Sequence, residues 1–406
     1  MNIIFIEPSF PYNQREFVRG LHGAGANIIG IGERPEEYLA DDVKHWLTHY
    51  VQVQSVVHEP ALLRAVQHIQ GLVYVDRLEA TVEAHIMAAA RVREATGIPG
   101  TSVQTAYLCR DKPAMKDVLR EAGIACALST RADDPQGARE FARQVGYPLI
   151  IKPPAGAGAA GTWKVRDASE LEQVLVESGV VDGNEVAIEE FIEGHEGFLD
   201  TLTINGEVAH EFITHYYPGV LTAMRERWIS PQMVTTNRID APGYQEVRQM
   251  ARDVIRVLEI GTSATHMEWF ASPKGLRFSE IGCRPPGVGQ WDVYNAANDF
   301  DLYLEWANAL THGKPKHSPS RRYAAGMIAL RPTCDGRITG YSGLETIQQH
   351  FGDCIVASHL PQPGSATQPV EGGYMANAWM RVRHPDFDEL RKIMNTIGET
   401  VKVHAA

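Results

Sequence analysis

Two glutamates on neighbouring strand-like stretches are the first candidates for chemistry. Glu268 and Glu280 lie twelve residues apart, with a tight turn at Lys274-Gly275 between their stretches. An antiparallel pair joined by such a turn can place both carboxylates on one face. Their neighbours are mostly apolar, and a buried carboxylate needs a cation or a partner. Two carboxylates with nucleotide phosphates suit Mg²⁺, whereas the plainer alternative is a pair of partly exposed strand residues.

Two lysines are candidates for binding phosphate. Lys152 directly follows the apolar run Leu149-Ile150-Ile151, and Lys112 follows Asp111 at the start of a predicted helix. A lysine at the end of a strand can place its ammonium group on a phosphate as a point charge. Each lysine alone is more typical of a solvated surface. Their occurrence together with the two glutamates favours the phosphate role.

A loop of small residues follows Lys152 at 155–162. Its glycines can let backbone N–H groups approach an anion closely, and the plain alternative is a hairpin tip. No Gly-Lys-Ser/Thr ends the loop, so it is not a P-loop of the Walker type. The candidate phosphate-binding residues here are Gly156, Gly158, Gly161 and Thr162.

An acidic segment at 189–196 ends a predicted strand and enters a turn. In most proteins such a string is a solvated surface turn. The functional interpretation is a hinge whose backbone groups recognise the edge of an adenine, with Glu196 accepting from ribose hydroxyls. The candidate residues are Glu189, Glu190, Ile192 and Glu196.

Three arginines could bind oxyanions. Arg284 follows Glu280 by four residues, and it could either neutralise the glutamates or stabilise an oxyanion that forms during acyl transfer. Arg225 and Arg227 follow the segment 215–219 and could bind a substrate carboxylate in a bidentate manner. For these last two, a solvated basic loop is the favoured interpretation.

The elements that must position these residues divide the chain into four predicted regions. Residues 1–107 alternate strand and helix patterns, which predicts a doubly wound parallel sheet. The strands are predicted at 3–6, 28–31 and 72–75, and the helices at 14–24, 60–70 and 79–95. The first strand leads into Glu7-Pro8 and not into a GxGxxG turn, so no dinucleotide site is expected there.

The later regions carry the candidate residues. Residues 108–190 are predicted to form a lid subdomain with the phosphate loop, and residues 191–311 a central subdomain with the metal site. Asn205-Gly206 predicts a hairpin within the central region, and residues 244–258 have helical spacing. Residues 312–406 are predicted to form a separate subdomain packed on the centre.

Composition limits the classes of function. A chain of 406 residues is expected to form two or three domains, and a formal net charge of −12 argues against a general nucleic-acid or anionic-membrane surface. Five cysteines without metal-ligand spacing predict neither a disulfide framework nor a zinc site, and they favour a reducing cytoplasm. The N-terminal apolar run is short and lacks signal-peptide features, and no run approaches the ~18 residues of a membrane span.

The order and spacing of these motifs, over roughly residues 98–290, resemble the ATP-grasp superfamily. Pro148 to Pro153 resembles the strand of its second phosphate lysine, 267–270 its first metal strand, and 280–284 its second metal motif. The resemblance implies a Rossmann-like N-terminal domain, an α+β ATP-grasp fold with a small mobile lid, and a C-terminal α+β subdomain. It assigns Lys112 and Lys152 to the ATP phosphates, and Glu268 and Glu280 to the metal.

The resemblance also implies an activity. Relatives of this kind use ATP and Mg²⁺, or Mn²⁺ in its place, to convert a carboxylate into an acyl phosphate and join it to an amine, here expected to be an amino acid. Lys152 and Arg284 are then the catalytic candidates. Gly282 stands where many members have a metal-binding Asn, which leaves open whether one ion or two are bound.

Two alternatives remain open at this stage. One is a carboxylating or formylating enzyme that activates bicarbonate or formate, and the other is a non-catalytic nucleotide-binding regulator. The expected partners are small-molecule carboxylates and amines, with no nucleic acid and no membrane. A homodimer is one possible assembly.

Overall fold

The computed structural model describes residues 1–155 and 161–406. Two of the predicted phosphate-loop glycines, Gly156 and Gly158, therefore lie outside the described residues. Within the described ranges, no helix is both long enough and apolar enough to cross a membrane.

The N-terminal region is a parallel four-stranded sheet with helices on both faces. Its elements are β1 Asn2–Ile6, α1 Gln14–Gly23, β2 Asn27–Gly32, α2 Asp41–Trp46, β3 His49–Gln52, α3 Glu59–Gln70, β4 Arg77–Glu79 and α4 Ile86–Thr96. The strand order is β3-β2-β1-β4. Successive residues of β1 point to opposite faces, so Ile4 packs in the core beside α3 and α4, whereas Phe5 packs with α1. The predicted doubly wound sheet is confirmed.

One predicted strand in this region is wrong. The apolar residues 72–75 form no strand, and β4 instead begins at Arg77, with Leu78 opposite Ile4. Leu72 and Tyr74 are 66% and 78% exposed, because the turn after α3 carries them over the surface. Asp76 instead accepts a hydrogen bond of 2.7 Å from the backbone N–H of Asn2, which sets the start of the pairing. Hydrophobic content alone gave the wrong position for a strand this short.

A small antiparallel sheet follows, with the order β5-β8-β6-β7. The elements of this part of the chain are α5 Val103–Leu108, α6 Lys112–Glu121, β5 Ser129–Ala132, α7 Pro135–Val145, β6 Leu149–Lys152, β7 Trp163–Val165, α8 Ala168–Glu177 and β8 Val186–Glu190. Phe141, Leu149 and Leu171 belong to its own hydrophobic core. At the start of α6, Asp111 accepts a hydrogen bond from the N–H of Ala114, which fixes the turn that carries Lys112.

The rest of the chain is organised around one large antiparallel sheet. Its elements are β9 His195–Ile204, β10 Glu207–Tyr217, α9 Val220–Ala223, β11 Gln232–Thr235, α10 Gln245–Val257, β12 Ser263–Ser272, β13 Gly275–Gly282, α11 Gln290–Asn298, α12 Leu302–His312, β14 Ala324–Leu330, β15 Ile338–Ser342, α13 Leu344–Phe351, β16 Ile355–His359, β17 Ala378–His384, α14 Phe387–Thr400 and β18 Lys402–Ala405. The order in this large sheet is β13-β12-β9-β10-β11-β14-β17-β16, and β15 pairs with β18 separately. Strands from the predicted central and C-terminal regions therefore share one sheet.

The predicted hairpin at Asn205-Gly206 is confirmed. Both residues have positive φ angles, 52° and 87°, as a two-residue turn between antiparallel strands requires. The turn sets the first pairs of β9 and β10, and the register shifts once between Val208 and His210. Strand β9 in turn pairs with β12, the strand that carries Glu268. A local turn signal thus helps to position a candidate site residue far away in sequence.

Candidate active site

A cavity of about 1440 Å³ lies between the small sheet and the large sheet, and all four regions of the chain contribute to its lining. Both candidate lysines, both candidate metal glutamates and Arg284 line it. The N-terminal region adds Gln14 and Glu83, and the C-terminal region adds Trp379 and Arg381. The tertiary structure therefore brings the sequence-predicted residues to one space.

The two lysines converge on one carboxylate. Lys112 Nζ lies 3.5 Å from Glu280 Oε2, and Lys152 Nζ lies 3.8 Å from the same oxygen. The backbone N–H of Lys112 also donates to the carbonyl of Pro154, 3.0 Å away, which ties the start of α6 to the end of β6. Two ammonium groups from separate elements thus meet beside a single glutamate.

A third lysine, which the sequence interpretation did not identify, is completely buried behind them. Lys116 Nζ lies 2.6 Å from Glu189 Oε1, an ion pair whose angles fall outside hydrogen-bond geometry, and Lys152 Nζ lies 2.9 Å from Glu189 Oε2. Burial would raise the pKa of Glu189, but Lys116 and Lys152 outweigh it and lower that pKa to about 2. Both oxygens of Glu189 are therefore occupied by lysines.

Glu268 and Glu280 are directly opposite each other on β12 and β13. Like charges at such a position repel, so the pair requires positive charge nearby. Burial raises the pKa of Glu268, but His266 and the lysines outweigh burial and hold it below its ordinary value. Both carboxylates line the cavity.

A chain of buried polar groups supports Glu268 from behind. His266 Nδ1 bonds Asp200 Oδ1 at 2.7 Å, and its Nε2 lies 3.6 Å from Glu268 Oε1. Tyr294 donates its hydroxyl proton to the other oxygen of Asp200. Burial opposes charge on His266, but Asp200 and Glu268 outweigh it and raise the pKa of His266 to about 9. The imidazole is therefore protonated at neutral pH and holds Glu268 in place.

Glu196 lies on β9 within the same acidic wall. Its Oε2 accepts a hydrogen bond of 2.7 Å from the backbone N–H of Val220. Burial first, and then the charge of Glu268, raise the pKa of Glu196 to about 8. Glu196, Glu268 and Glu280 form this acidic wall, and the pKa of Glu196 is shifted in the direction opposite to that of Glu268.

The remainder of the predicted hinge also lines the cavity. Glu190 Oε2 accepts from the backbone N–H of Leu128 at 3.3 Å, and Ile192 lies beyond the end of β8. Lys164 Nζ lies 3.6 Å from the centre of the Phe191 ring. The segment therefore offers backbone groups and an aromatic ring at one end of the cavity, and Lys164 of β7 adds a cation there.

Arg284 is paired with a residue of the N-terminal region. Its Nε donates to Glu83 Oε2 at 2.7 Å, and its Nη1 donates to the carbonyl of Pro285 at 2.8 Å. Glu83 has no local sequence signal, because its partner lies 201 residues away. Arg284 thus lines the cavity while joining the second metal motif to the N-terminal domain.

The described end of the small-residue loop contacts the segment after β10. Thr162 lines the cavity, and its carbonyl accepts a hydrogen bond of 2.9 Å from Arg225 Nη2. Arg227 instead pairs with Asp335 at 2.6 Å. Arg225 and Gly161 therefore border the same loop end, and Arg227 is engaged elsewhere.

Comparison with known proteins agrees with this geometry. Residues 117–299 match the family model of the ATP-grasp domain. This part of the chain is therefore an ATP-grasp domain. An L-arginine-specific L-amino acid ligase of Bacillus subtilis is 26% identical over 367 residues, which cover 89% of this chain and 87% of that protein.

Solved ATP-grasp structures share the whole fold. An L-amino acid ligase from Bacillus licheniformis superposes with a TM-score of 0.77 at 16% identity, covering 100% of this chain and 98% of that one. The biotin carboxylase domain of a Hydrogenobacter thermophilus 2-oxoglutarate carboxylase, in complex with MgADP and bicarbonate, gives 0.66 at 18% identity over 99% and 90% of the two chains. The fold predicted from the motifs is confirmed.

ATP-grasp ligases use ATP and Mg²⁺, and the residues of this cavity fit both. In the described residues, no group of three or more His, Cys, Asp or Glu side chains is arranged to hold a metal by itself. Gly282 adds no side chain at the site. Glu268 and Glu280 would therefore hold Mg²⁺ together with phosphate oxygens, as that ion commonly prefers.

Lys116 and His266 show what sequence reasoning missed. Lys116 lies four residues after Lys112, hence on the same face of α6, and this spacing was a usable signal. His266 lies two residues before Glu268, but its partner Asp200 is on β9, and no local pattern joins them.

Proposed function

We propose that this chain is an ATP- and Mg²⁺-dependent ligase that activates a carboxylate as an acyl phosphate and couples it to the amine of an amino acid. The observation that carries the proposal is the convergence of Lys112 and Lys152 on Glu280, with Glu268 directly opposite. This places positive charge for phosphates beside two acidic ligands for a divalent ion. The products would be an amide or peptide, ADP and phosphate.

The residue roles follow from position. Lys112 and Lys152 would contact the phosphates, and Glu268 and Glu280 would hold the metal, which would balance charge on the transferring phosphoryl group. The backbone around Glu190 and Ile192 would bind the adenine edge, and Glu196 the ribose. The loop residues Gly156, Gly158, Gly161 and Thr162 would cover the phosphates.

The chemistry requires no nucleophilic side chain. An oxygen of the substrate carboxylate attacks the γ-phosphorus, and ADP leaves. The amine then attacks the acyl carbon, phosphate leaves, and the nitrogen loses a proton. Arg284 lines the same cavity as the two lysines and the two glutamates. From there it would stabilise the oxyanion of the tetrahedral intermediate.

Amino acids are proposed as substrates because of the L-amino acid ligase relative, which aligns with most of both chains. The biotin carboxylase domain, which shares the fold, is in complex with bicarbonate. Bicarbonate is the acid that the main alternative function would activate. The two proposals predict different requirements for release of ADP. Coupling of amino acids requires an acid and an amine together.

An ADP-release assay therefore tests the function. The purified chain is incubated with Mg²⁺ and ATP, and with single L-amino acids, pairs of them, bicarbonate, or formate. Release that needs amino acids supports the ligase, whereas release with bicarbonate or formate alone supports the alternative. A lack of release across all panels would contradict a catalytic role of either kind.

A further inference from the structure

An ion pair between two C-terminal elements lines the cavity beyond the candidate nucleotide site. Arg381 on β17 donates from Nη2 to Asp292 Oδ2 at 3.0 Å, and Asp292 lies in the first turn of α11. Asp292 Oδ1 also accepts from the hydroxyl of Tyr303 at 3.2 Å, which fixes its orientation. Both members of the pair line the cavity.

The guanidinium group of Arg381 is buried with most of its hydrogen-bonding capacity unused. The residue is 9% exposed, and within the described ranges the one hydrogen bond of its side chain is the bond to Asp292. Its Nε is buried without a partner. A guanidinium group has five N–H donors, and a buried cation with unused donors is costly unless something binds them. Donors thus remain available for a ligand.

The surroundings of the pair leave room for a small molecule. Gly289, with a φ of 62°, lies beside the pair, and a Cβ there would be 3.3 Å from Arg381 Nη2 and 3.4 Å from Asp292 Oδ2. A larger residue would crowd both groups. The ring of Trp379 lies 5.4 Å from Arg381 Cζ and, with Met375, also lines the cavity. The pair therefore has apolar walls beside it.

The charge of the pair indicates the class of ligand. Arg381 and Asp292 together have no net charge, so a phosphate monoester would meet an acidic group next to the arginine. A zwitterion satisfies both groups, because its carboxylate can bind Arg381 while its ammonium lies near Asp292. An α-amino acid is the simplest such molecule.

This carboxylate is not the one that becomes activated. The activated carboxylate must lie beside Lys152, Glu268 and Glu280. Among the described contacts, Arg381 touches none of those residues. The amino acid at Arg381 is therefore the acceptor, which keeps its own carboxylate while its amine reacts.

We propose that Arg381 and Asp292 form the acceptor subsite, which binds an α-amino acid through its free carboxylate and its amino group. This inference rests on the proposed ligase function and adds the residues that bind the amino-acid acceptor. The product would retain a free C-terminal carboxylate at Arg381.

The chain offers a matched control two residues away on the same strand. Arg383 Nη1 bonds Asp299 Oδ1 at 2.9 Å, so it joins β17 to the other end of α11. Arg383 does not line the cavity. If Arg381 only tied the strand to the helix, both arginines would behave alike when replaced.

Direct binding tests the subsite independently of turnover. The probes are the proteinogenic L-amino acids and their α-carboxamides, titrated calorimetrically into the full chain with MgADP present. At least one amino acid should bind roughly tenfold or more tightly to the wild type than to Arg381→Gln, equivalent to about 1.4 kcal/mol. The R381Q variant should also lose the preference for the acid over its carboxamide, and Arg383→Gln should retain both properties.

Several results would overturn the subsite. The first is that R381Q binds amino acids as tightly as the wild type, or keeps the preference for the acid over its carboxamide. The second is that R383Q shows the same loss of binding and preference as R381Q. The third is that no amino acid of the panel binds the wild type. Should R381Q fail to fold, Arg381→Lys serves in its place, because it keeps the charge but lacks the bidentate fork. The R381K variant should raise the KM for the acceptor without changing the KM for ATP.

The outcome also separates this inference from the ligase proposal. Amino-acid binding that depends on Arg381, without any ADP release, would support the subsite and contradict the ligase. ADP release that requires amino acids but is insensitive to R381Q would support the ligase and contradict the subsite.

Discussion

The two charged walls of the cavity differ in how their charges are balanced. On the wall formed by α6 and the small sheet, Glu189 lies between Lys116 and Lys152 at 2.6 and 2.9 Å. On the large sheet, Glu268 and Glu280 are directly opposite each other, and Glu196 lies on the same wall. The first wall has its countercharge within the protein. The second has an excess of acid.

Two glutamates show the consequence. The pKa of Glu189 is lowered to about 2, because its lysines outweigh burial, whereas the pKa of Glu196 is raised to about 8 by burial and by Glu268. The same side chain thus shifts in opposite directions within one cavity. The wall formed by α6 and the small sheet, with Lys116, Lys152 and Glu189, is the lysine wall, and it is organised before any ligand binds. The acidic wall on the large sheet is suited to a divalent cation.

The largest effect is expected on the acidic wall. Glu280→Ala should reduce kcat/KM for ATP by at least about 10³-fold while the chain stays folded, because the metal loses a ligand and Lys112 and Lys152 lose a shared partner. Steady-state ADP production measures this, with circular dichroism as the check of the fold. Glu207→Ala, at the exposed start of β10, is the matched control. Near-wild-type ADP production by E280A would contradict the assignment of the site.

The role of the lysine wall can be tested by removing Lys116 and measuring the stability of the protein. Lys116→Met should lower the free energy of unfolding by about 3 kcal/mol, because it removes one partner of a buried ion pair and leaves Glu189 with Lys152 alone. Urea denaturation measures the change. Lys392→Met removes an exposed lysine that pairs with Glu389 at 2.6 Å, and it should leave the midpoint unchanged. Equal midpoints for K116M and wild type would show that this wall is not preorganised.

Lys152 connects the two walls, because its Nζ lies near both Glu189 and Glu280. Lys152→Ala should raise the KM for ATP and lower kcat, with a combined loss of roughly 10- to 100-fold, because one charge-assisted contact to phosphate is removed. The exposed Lys402→Ala serves as the control for loss of a positive charge. Kinetic constants that match the wild type would remove Lys152 from the phosphate site.

The acidic wall should also make the stability of the protein depend on pH. Glu196 has a folded-state pKa of about 8, above the ordinary value of 4.5, so the folded chain binds the extra proton between these values. Stability of the metal-free protein should therefore fall as pH rises from 4.5 to 8. Glu196→Gln should flatten that slope in thermal melts with EDTA. A slope that E196Q leaves unchanged would assign it to other groups.

Local sequence patterns were sufficient for most elements and for several site residues. The Asn205-Gly206 turn and the β12–β13 hairpin follow from turn chemistry. The hairpin put Glu268 and Glu280 on neighbouring strands, and a register shift between Glu268 and Trp269 places the two glutamates directly opposite each other. Strand β4 was misplaced, because its position depends on pairing with β1 and not on its own hydrophobicity. A pattern of a few residues describes the geometry within one helix or strand. It does not say which other strand that strand pairs with.

The sequence by itself determined which groups could do the chemistry: two lysines, two glutamates on neighbouring strands, an arginine and a turn-rich acidic segment in a fixed order. Only the tertiary structure decided which charges meet. Lys116 finds Glu189, His266 finds Asp200, Arg284 finds Glu83 and Arg381 finds Asp292. The reason is physical, since an ion pair depends on distance and burial, and both are set by how separate elements pack.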